Sequence, residues 1–260
     1  MTPDHPTSVE TKLEVRDLHV WFDKRHAVRG ISLDVADRKT VALIGATGSG
    51  RSAVLRALNR LHDLDPSARV EGSVKIDGAE VLGSTTDVPA LRRRMGMIFG
   101  EPATLPMTAY ENVIFGLRAK GVTDERTLDG ASERALRQVM LWDSLQKQLH
   151  ENALSLPLDW QQRICIARAL AVGPEVLLFD DPAAKLDPVA SQQLDDVIFR
   201  LRRDFTILIA TNDLHQAARL SDLTFYMVNG EIAESGETLA IFNRPTDSRT
   251  EDFLAGRAWS

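Results

Sequence analysis

The chain has 260 residues, of which 43% are hydrophobic and 26% charged, a composition typical of a folded globular protein that buries a substantial core. Its net charge of -6 at pH 7 argues against nucleic acid as a partner, because nucleic-acid-binding surfaces need an excess of basic residues. The single cysteine, Cys165, excludes a disulfide framework, and no stretch approaches the roughly 20 apolar residues that span a bilayer, so any membrane contact is expected to run through a partner protein.

The first half of the chain is predicted to be rich in β-strands. Alternating and continuous apolar patterns predict strands at 12–22, 27–35, 40–45 and 92–99, and on both sides of Asp77-Gly78. The segment 52–61 has helical spacing directly after a glycine-rich loop. Residues 1–12 are polar and are expected to form a disordered tail.

The second half is predicted to combine helices with buried strands. Helical spacing of apolar residues predicts an insert between about residues 100 and 164. The runs at 175–181 and 205–211 are apolar in the manner of parallel strands, and Asn229-Gly230 marks a closing hairpin. Strands of this type next to helix-patterned segments predict the α/β fold class.

The stretch "GATGSGRS" links the predicted strand at 40–45 to the following helix. Glycines at such a position let successive backbone N–H groups approach a phosphate chain at the positive end of a helix dipole. The hydroxyl of Ser52 can ligate the Mg2+ ion that accompanies the phosphates. The alternative is a glycine-rich turn that binds nothing. The candidate phosphate-binding residues are Gly45, Ala46, Thr47, Gly48, Ser49, Gly50, Arg51 and Ser52.

Two carboxylates end the buried strand in "VLLFDD". Asp180 can hold magnesium through water, and Asp181 can act as a general base on an attacking water molecule. An acidic residue at a strand end is weak evidence alone. Together with the glycine loop, however, this pair predicts a magnesium-dependent nucleotide site.

Long stretches of the chain resemble the ATP-binding-cassette (ABC) family of ATPases, and within it the ATP-binding subunits of bacterial Pst-type phosphate importers. The matching text includes "HAVRGISLDV", "ARVEGSVKIDG", "QQRICIARALAVGPEVLLFD" and "RTEDFLAGR". The resemblance implies a single ABC ATPase domain over 13–257. This domain would have an α/β P-loop NTPase core, an antiparallel β portion and a helical subdomain at about 100–164.

The resemblance also implies ligands and partners. ATP and Mg2+ are the expected cofactors, and a second ABC ATPase protomer is expected to complete a dimer. Transmembrane permease subunits of a phosphate importer are expected to hold this dimer at the inner, cytoplasmic face of the cell membrane. Trp21 and Phe22 lie where the family stacks an aromatic ring on adenine, although an aromatic pair in a strand is also ordinary core.

The chain departs from the family pattern at the positions that carry chemistry. The replacements are Arg51 for Lys, Gly100 for Gln, Asp181 for the general base Glu, Asn212 for the switch His, and Leu-Pro-Leu-Asp-Trp at 156–160 for the signature Leu-Ser-Gly-Gly-Gln. Arg51 keeps its charge on a broad planar group in place of a compact ammonium. Asp181 is one methylene short, roughly 1.5 Å, which withdraws a general base from its hydrogen-bond reach. Asn212, the other catalytic candidate, donates hydrogen bonds but does not titrate.

The signature segment predicts a helix start that satisfies its own backbone. Pro157 suits a first helical turn, Asp159 offers a carboxylate to the unpaired N–H groups, and Ser155 is a candidate cap. A free carboxylate here would also repel a phosphate bound by the opposite protomer. The alternative is a harmless loop variant.

Two functions follow from the resemblance and its departures. The first is a nucleotide-binding subunit of a phosphate importer in which ATP hydrolysis is impaired. The second is a catalytically silent pseudo-ATPase that acts as a regulatory or dominant-negative dimerisation partner.

Overall fold

The computed structural model describes residues 10–257. Its strands are β1 (Thr11–Phe22), β2 (Arg25–Ala36), β3 (Thr40–Ile44), β4 (Ala68–Ile76), β5 (Ala79–Glu80), β6 (Met95–Phe99), β7 (Val176–Asp180), β8 (Thr206–Thr211), β9 (Leu223–Val228) and β10 (Glu231–Glu237). Its helices are α1 (Arg51–Leu58), α2 (Val88–Arg94), α3 (Ala109–Ala119), α4 (Glu125–Gln138), α5 (Trp142–Leu145), α6 (Leu158–Ala171), α7 (Pro188–Leu201), α8 (Leu214–Leu220), α9 (Thr238–Asn243) and α10 (Ser248–Leu254). Short 3-10 helices lie at Leu61–Leu64, Gln146–Gln148 and Ala153–Ser155. Within this part of the chain, no helix is long and apolar enough to cross a membrane.

The strands form two sheets. One sheet has the order β10-β9-β3-β8-β7-β6, and all its neighbouring pairs are parallel except β10 with β9. The other sheet is antiparallel, with the order β2-β1-β4-β5, and comes from the N-terminal part of the chain. The predicted α/β fold class, with a P-loop sheet and an antiparallel β portion, is confirmed.

Alternate residues of the parallel strands face two different cores. In β7, Leu177 and Phe179 belong to the core shared with α6, α7 and α8, while Val176 and Leu178 belong to the core between the sheets. All four side chains are fully buried. A strand covered on both faces has no polar face, which is why its sequence is a continuous apolar run.

The carboxyl ends of the parallel strands lie level with one another. Ile44 in β3 pairs with Thr211 in β8, and Asp180 in β7 pairs with both Ala210 in β8 and Phe99 in β6. The loops that follow these strands therefore leave the same edge of the sheet. In open α/β sheets this edge is where ligands bind.

The strand predicted at 92–99 is partly wrong, because its first three residues form the end of α2. Asp87 caps this helix by accepting a hydrogen bond from the backbone N–H of Ala90, and a proline lies in the first turn. Asp87 with a proline two residues later is a helix-start signal. The apolar run that follows this signal outweighed it in the prediction from sequence. The arginine run is thus a helix end, where positive charge favours the dipole.

The predicted tail falls mostly outside the described residues. Of the tail at 1–12, residues 1–9 are not described, and Thr11 already pairs with Ala36 as the first residue of β1. Helices α3, α4, α5 and the start of α6 lie in the segment predicted as a helical insert, 100–164. The limits of the domain and its helical subdomain stay predictions.

An ion-pair network ties the base of the parallel sheet to the antiparallel sheet. Arg94 donates two hydrogen bonds to Glu175, at 2.6 and 2.8 Å, and Lys12 donates to Glu175 at 2.5 Å and to Asp77 at 2.9 Å. Arg94 also pairs with Asp77. The hydrogen bonds from Arg94 are the main cause that lowers the pKa of Glu175 to about 2.

We expect Glu175→Gln to lower the free energy of unfolding by about 1 kcal/mol at pH 7, a figure reduced for solvent screening because the Glu175 side chain is 38% exposed. A carboxylate whose pKa is depressed by folding stabilises above its unfolded pKa, near 4.5, and loses this effect as the pH falls towards 2. Urea unfolding at pH 7 and at pH 3 should therefore show a smaller difference between the two proteins at pH 3. Glu101→Gln, at an exposed loop position, is the control and should leave the stability unchanged at both pH values.

Candidate functional site

The glycine loop between β3 and α1 is pressed against neighbouring backbone. A Cβ on Gly45 would lie 2.3 Å from the carbonyl oxygen of Met227, and a Cβ on Gly50 would lie 2.5 Å from that of Ala27. Gly48 and Gly50 have φ values of 83° and 106°, in a region that favours glycine. The loop therefore needs glycine for both conformation and space, as the sequence pattern predicts.

A cavity of about 230 Å³ opens over this loop. Its lining includes Thr47 to Ser52 from the predicted phosphate loop, whereas Gly45 and Ala46 lie outside the lining. Arg25 and Arg56 also line it, and Arg25 donates a hydrogen bond to the carbonyl oxygen of Gly48 at 3.1 Å. Three arginines beside the start of a helix give the cavity the charge of an anion site.

Sequence reasoning missed Arg25 and Arg56. Arg56 lies five residues after Arg51 in α1, and Arg25 begins β2 after a tight turn. The position of Arg56 in the predicted helix after the loop could have been read from the sequence. The contact of Arg25 with the loop could not, because it depends on how the antiparallel sheet lies over the loop.

Of the two predicted adenine-stacking residues, only Phe22 lines the cavity. Trp21 is engaged elsewhere: its ring stacks on His26 at a centroid distance of 4.4 Å, and the guanidinium of Arg69 lies 4.0 Å from its centroid. Successive residues of a strand point to opposite faces, which is consistent with the separate surroundings of the two rings. The assignment of Trp21 to the nucleotide site stays a prediction.

Arg51 points from α1 towards the end of β7. Its Nη2 atom lies 3.7 Å from the Oδ2 atom of Asp181, and the side chain is only 6% exposed. Its Nη1 atom is buried and has no hydrogen-bond partner among the described residues. Burial lowers the pKa of the Arg51 guanidinium, against the attraction of Asp181 and Asp180. A buried donor without a partner is costly, and an anion in the cavity would satisfy it.

Ser52 and Asp180 meet as the sequence predicts. The Ser52 hydroxyl donates to Oδ1 of Asp180 at 2.6 Å, across the gap between α1 and β7. A hydroxyl and a carboxylate are oxygen ligands of the kind that Mg2+ prefers. No group of three or more His, Cys, Asp or Glu residues within 10–257 could hold a metal, so these two oxygens fit Mg2+ only in company with phosphate and water oxygens.

Asp181 has a left-handed backbone, with φ of 47°, and its carboxylate is held on two sides. Besides facing Arg51, its Oδ1 atom accepts a hydrogen bond from the backbone N–H of Asn212 at 3.1 Å. Burial is the main cause that raises the pKa of the Asp181 carboxyl, against the attraction of Arg51. Asn212 thus contributes its backbone here, while the residue itself is exposed at the rim of a second cavity of about 300 Å³.

Gly100 lies against the same strand end. A Cβ at this position would lie 2.5 Å from the carbonyl oxygen of Asp181 and 3.1 Å from Cβ of Ala184. The backbone after β7 therefore fills the space in which a side chain at position 100 would begin.

The fully buried Gln162 in α6 connects this region to the helical part of the chain. Its amide donates to the carbonyl oxygens of Phe99, at 2.7 Å, and Pro182, at 2.9 Å. A single side chain thus joins the ends of β6 and β7 to α6. Sequence reasoning missed it, and the signal was a polar residue at an apolar position of the predicted helix.

The segment at 156–160 does not cap itself as predicted. Pro157 occupies the cap position of α6 without any side-chain hydrogen bond, and Ser155 donates instead to the carbonyl oxygen of Asn152 at 2.7 Å. Asp159 pairs with Arg163 at 2.8 Å. The helix start is therefore left unpaired by side chains, and the Asp159 carboxylate is neutralised within its own helix, which weakens the expected repulsion of phosphate.

A glycine loop joins a buried strand to a helix, and the Ser52 hydroxyl after this loop donates a hydrogen bond to Asp180 at the end of another strand. This arrangement defines a nucleotide-binding protein of the P-loop class. Residues 28–184 match the ABC transporter family. The chain is 42% identical over 249 residues to a protein named phosphate import ATP-binding protein PstB 2 from Lactiplantibacillus plantarum, covering 96% of this chain and 99% of the relative. The chain belongs to the ABC transporter family, and the predicted resemblance to its Pst-type ATP-binding subunits is confirmed.

Solved structures share the fold at lower identity. A protein from Clostridium perfringens, cbiO1, which is part of an ABC transporter complex, is 23% identical with a TM-score of 0.78, covering 95% of this chain and 97% of that chain. A dimeric ATP-binding cassette, MJ0796, bound to ADP and Pi in a post-hydrolysis state, is 23% identical with a TM-score of 0.75, covering 87% of this chain and 98% of that chain. Both support the ABC ATPase fold.

We expect Gly50→Ala to lower the free energy of unfolding by about 2–4 kcal/mol, because backbone strain and a backbone clash act together. Gly121→Ala is the matched control, since Gly121 also has a positive φ, 88°, but nothing lies within 4 Å of its Cβ position. Strain alone should cost it about 1–2 kcal/mol. Equal losses in denaturant unfolding would contradict the close approach of Ala27.

Proposed function

We propose that the chain is the nucleotide-binding subunit of a phosphate importer, which binds ATP with Mg2+ but hydrolyses it poorly. The observation that carries the nucleotide site is Arg51, a buried cation in a glycine loop with an unpartnered Nη1 atom. The phosphate cargo is supported by the name of the relative that is 42% identical, a phosphate import ATP-binding protein.

Different residues of the chain are proposed to bind the phosphates, the base and Mg2+. The N–H groups of Gly48, Ser49 and Gly50 and the guanidinium of Arg51 hold the phosphates, and Phe22 packs on the base. Ser52 and Asp180 would hold Mg2+ together with phosphate and water oxygens, and the ion would neutralise phosphate charge.

Asp181 would be the general base, and three features support its poor performance. Its carboxylate is one methylene short, it faces Arg51 at 3.7 Å and it accepts the N–H of Asn212. Gly100 offers no side chain to the site. A base that is engaged by a cation and a backbone donor is a poor acceptor for the proton of water.

The proposed partners follow from the family. A second ATPase protomer would pair through the segment at 156–160, and permease subunits would hold the dimer at the cytoplasmic face of the membrane. Neither Pro157 nor Leu158 offers the hydroxyl or bare backbone of the family signature, so the contribution of this segment to the opposite site is expected to be weak.

Isothermal titration calorimetry with Mg-ATP tests the nucleotide site. We expect a dissociation constant at or below about 1 mM, and at least a tenfold loss of affinity in Arg51→Gln, because the loop cation is removed. Arg203→Gln, which removes an exposed arginine far from the cavity, is the charge-matched control and should bind as the unmodified chain does. An absence of heat at millimolar ATP would disprove the proposed site.

ATP turnover tests the impairment. We expect a rate well below the ordinary enzyme range of about 1–1,000 per second, and no recovery in Arg51→Lys, because groups that act as one catalytic unit are strongly non-additive. The structure adds that Gly100→Gln should not restore activity either, since its Cβ meets the Asp181 carbonyl oxygen. Ordinary turnover in the unmodified chain would contradict the proposal.

The second candidate function is that of a catalytically silent protein that inhibits a competent homologue by forming a dimer with it. In such a dimer each ATP site would combine residues of both protomers, and this chain has unfavourable residues for both contributions. Asp181 and Arg51 belong to one half, and the segment at 156–160 to the other. A hybrid dimer would then contain no complete site.

Co-expression with two affinity tags should yield a hybrid whose turnover falls towards zero, measured against the competent homodimer carrying the same tags. A hybrid that keeps half the turnover would show that one composite site is sound.

A further inference from the structure

The pairing of Arg51 with Asp181 affects the shape of the nucleotide cavity as well as the general base. These side chains come from the two walls of the nucleotide cavity, and their Nη2 and Oδ2 atoms are 3.7 Å apart. Asp181 is fixed from behind by the N–H of Asn212 at 3.1 Å. A bridge of polar contacts therefore runs beside the cavity, from Arg51 in α1 through Asp181 at the end of β7 to the backbone after β8.

This bridge occupies the space that a third phosphate needs. A general base acts through a water molecule at about 2.6–3.2 Å, and that water has to lie about 3–3.5 Å from the reacting phosphorus. The carboxylate of a working site is therefore separated from the phosphoryl group by roughly 6 Å, with the loop cation on the far side. A direct contact between Arg51 and Asp181 leaves no such gap.

The planar fork of arginine explains how the bridge and a shorter ligand coexist. Nη2 faces Asp181, while Nη1 has no partner among the described residues. A guanidinium presents donors in several directions at once, which a compact ammonium group does not do in the same fixed geometry. One edge of Arg51 can therefore keep its contact with Asp181 while Nη1 donates a hydrogen bond to the terminal phosphate of a diphosphate.

Charge favours the same ligand. The lining of the cavity contains Arg25, Arg56 and the start of α1, and it also contains Asp181, whose carboxylate faces Arg51. A third phosphate would approach this carboxylate, and like charges at such distances repel in a medium of low dielectric constant. Two phosphates would remain over the basic part.

We propose that this site binds nucleoside diphosphates in preference to triphosphates, with Arg51 and Asp181 acting together as the barrier to the third phosphate. The proposal rests on the nucleotide site proposed above and adds its selectivity. It predicts that the chain holds ADP with its strand-end bridge intact and that binding of ATP requires this bridge to open.

Calorimetric titrations with ADP and with ATP, each with excess magnesium chloride, test the selectivity. We expect ADP to bind at least tenfold more tightly than ATP. In Asp181→Asn this ratio should fall to threefold or less, chiefly through tighter binding of ATP, because the barrier loses its charge. Asparagine retains the acceptor for the Asn212 N–H and tolerates a left-handed backbone, so the variant should fold, which circular dichroism would verify.

Asp204→Asn is the control, because it removes one carboxylate at an exposed position away from the cavity. Its ratio should equal that of the unmodified chain. Equal affinities for ADP and ATP in the unmodified chain, or tighter ATP, would overturn the selectivity while leaving the nucleotide site in place. An unchanged ratio in Asp181→Asn would overturn the role of the bridge. Failure of both nucleotides to bind would overturn the nucleotide site itself.

Discussion

The parallel register of β3, β7, β8 and β6 is the constraint on which the candidate site depends. Because Ile44 pairs with Thr211, and Asp180 with Ala210 and Phe99, four strands end at one level. The glycine loop, the two carboxylates, Asn212 and Gly100 all follow these ends. Ser52 and Asp180, which are 128 positions apart in the chain, are thereby placed 2.6 Å apart, and a slip in this register would separate them.

Several residues of the candidate site accommodate one another within this frame. The carbonyl oxygen of Asp181 lies where a side chain at position 100 would begin, so Gly100 and the left-handed backbone of Asp181 are mutually compatible. The length of Arg51 allows it to reach the shortened acid on the opposite wall. We expect the fold to be more stable with these residues together than with any one of them alone, because an unpaired buried charge or a backbone clash would destabilise it.

The helical part of the chain remains joined to the site despite the altered segment at 156–160. Gln162 bonds to carbonyl oxygens that follow β6 and β7, and Arg163 joins Asp159 to Gln193 of α7. Hydrogen bonds therefore join α6 to both the sheet ends and α7. At the start of α6, no side chain caps the backbone.

The sequence alone determined the α/β fold, the glycine loop and the meeting of Ser52 with Asp180, because these depend on local periodicity and on the rule that parallel strand ends share one edge. It also identified the family, through long matching stretches. It misplaced Ser155 and the start of β6, and it did not find Arg25 or Gln162. Those features were decided by tertiary structure, since which face of a strand meets the cavity, which acceptor a serine finds and which charges become neighbours depend on packing between distant segments. The pairing of Arg51 with Asp181 is of this kind: each residue was recognisable as a departure, but only the folded sheet brings them into contact.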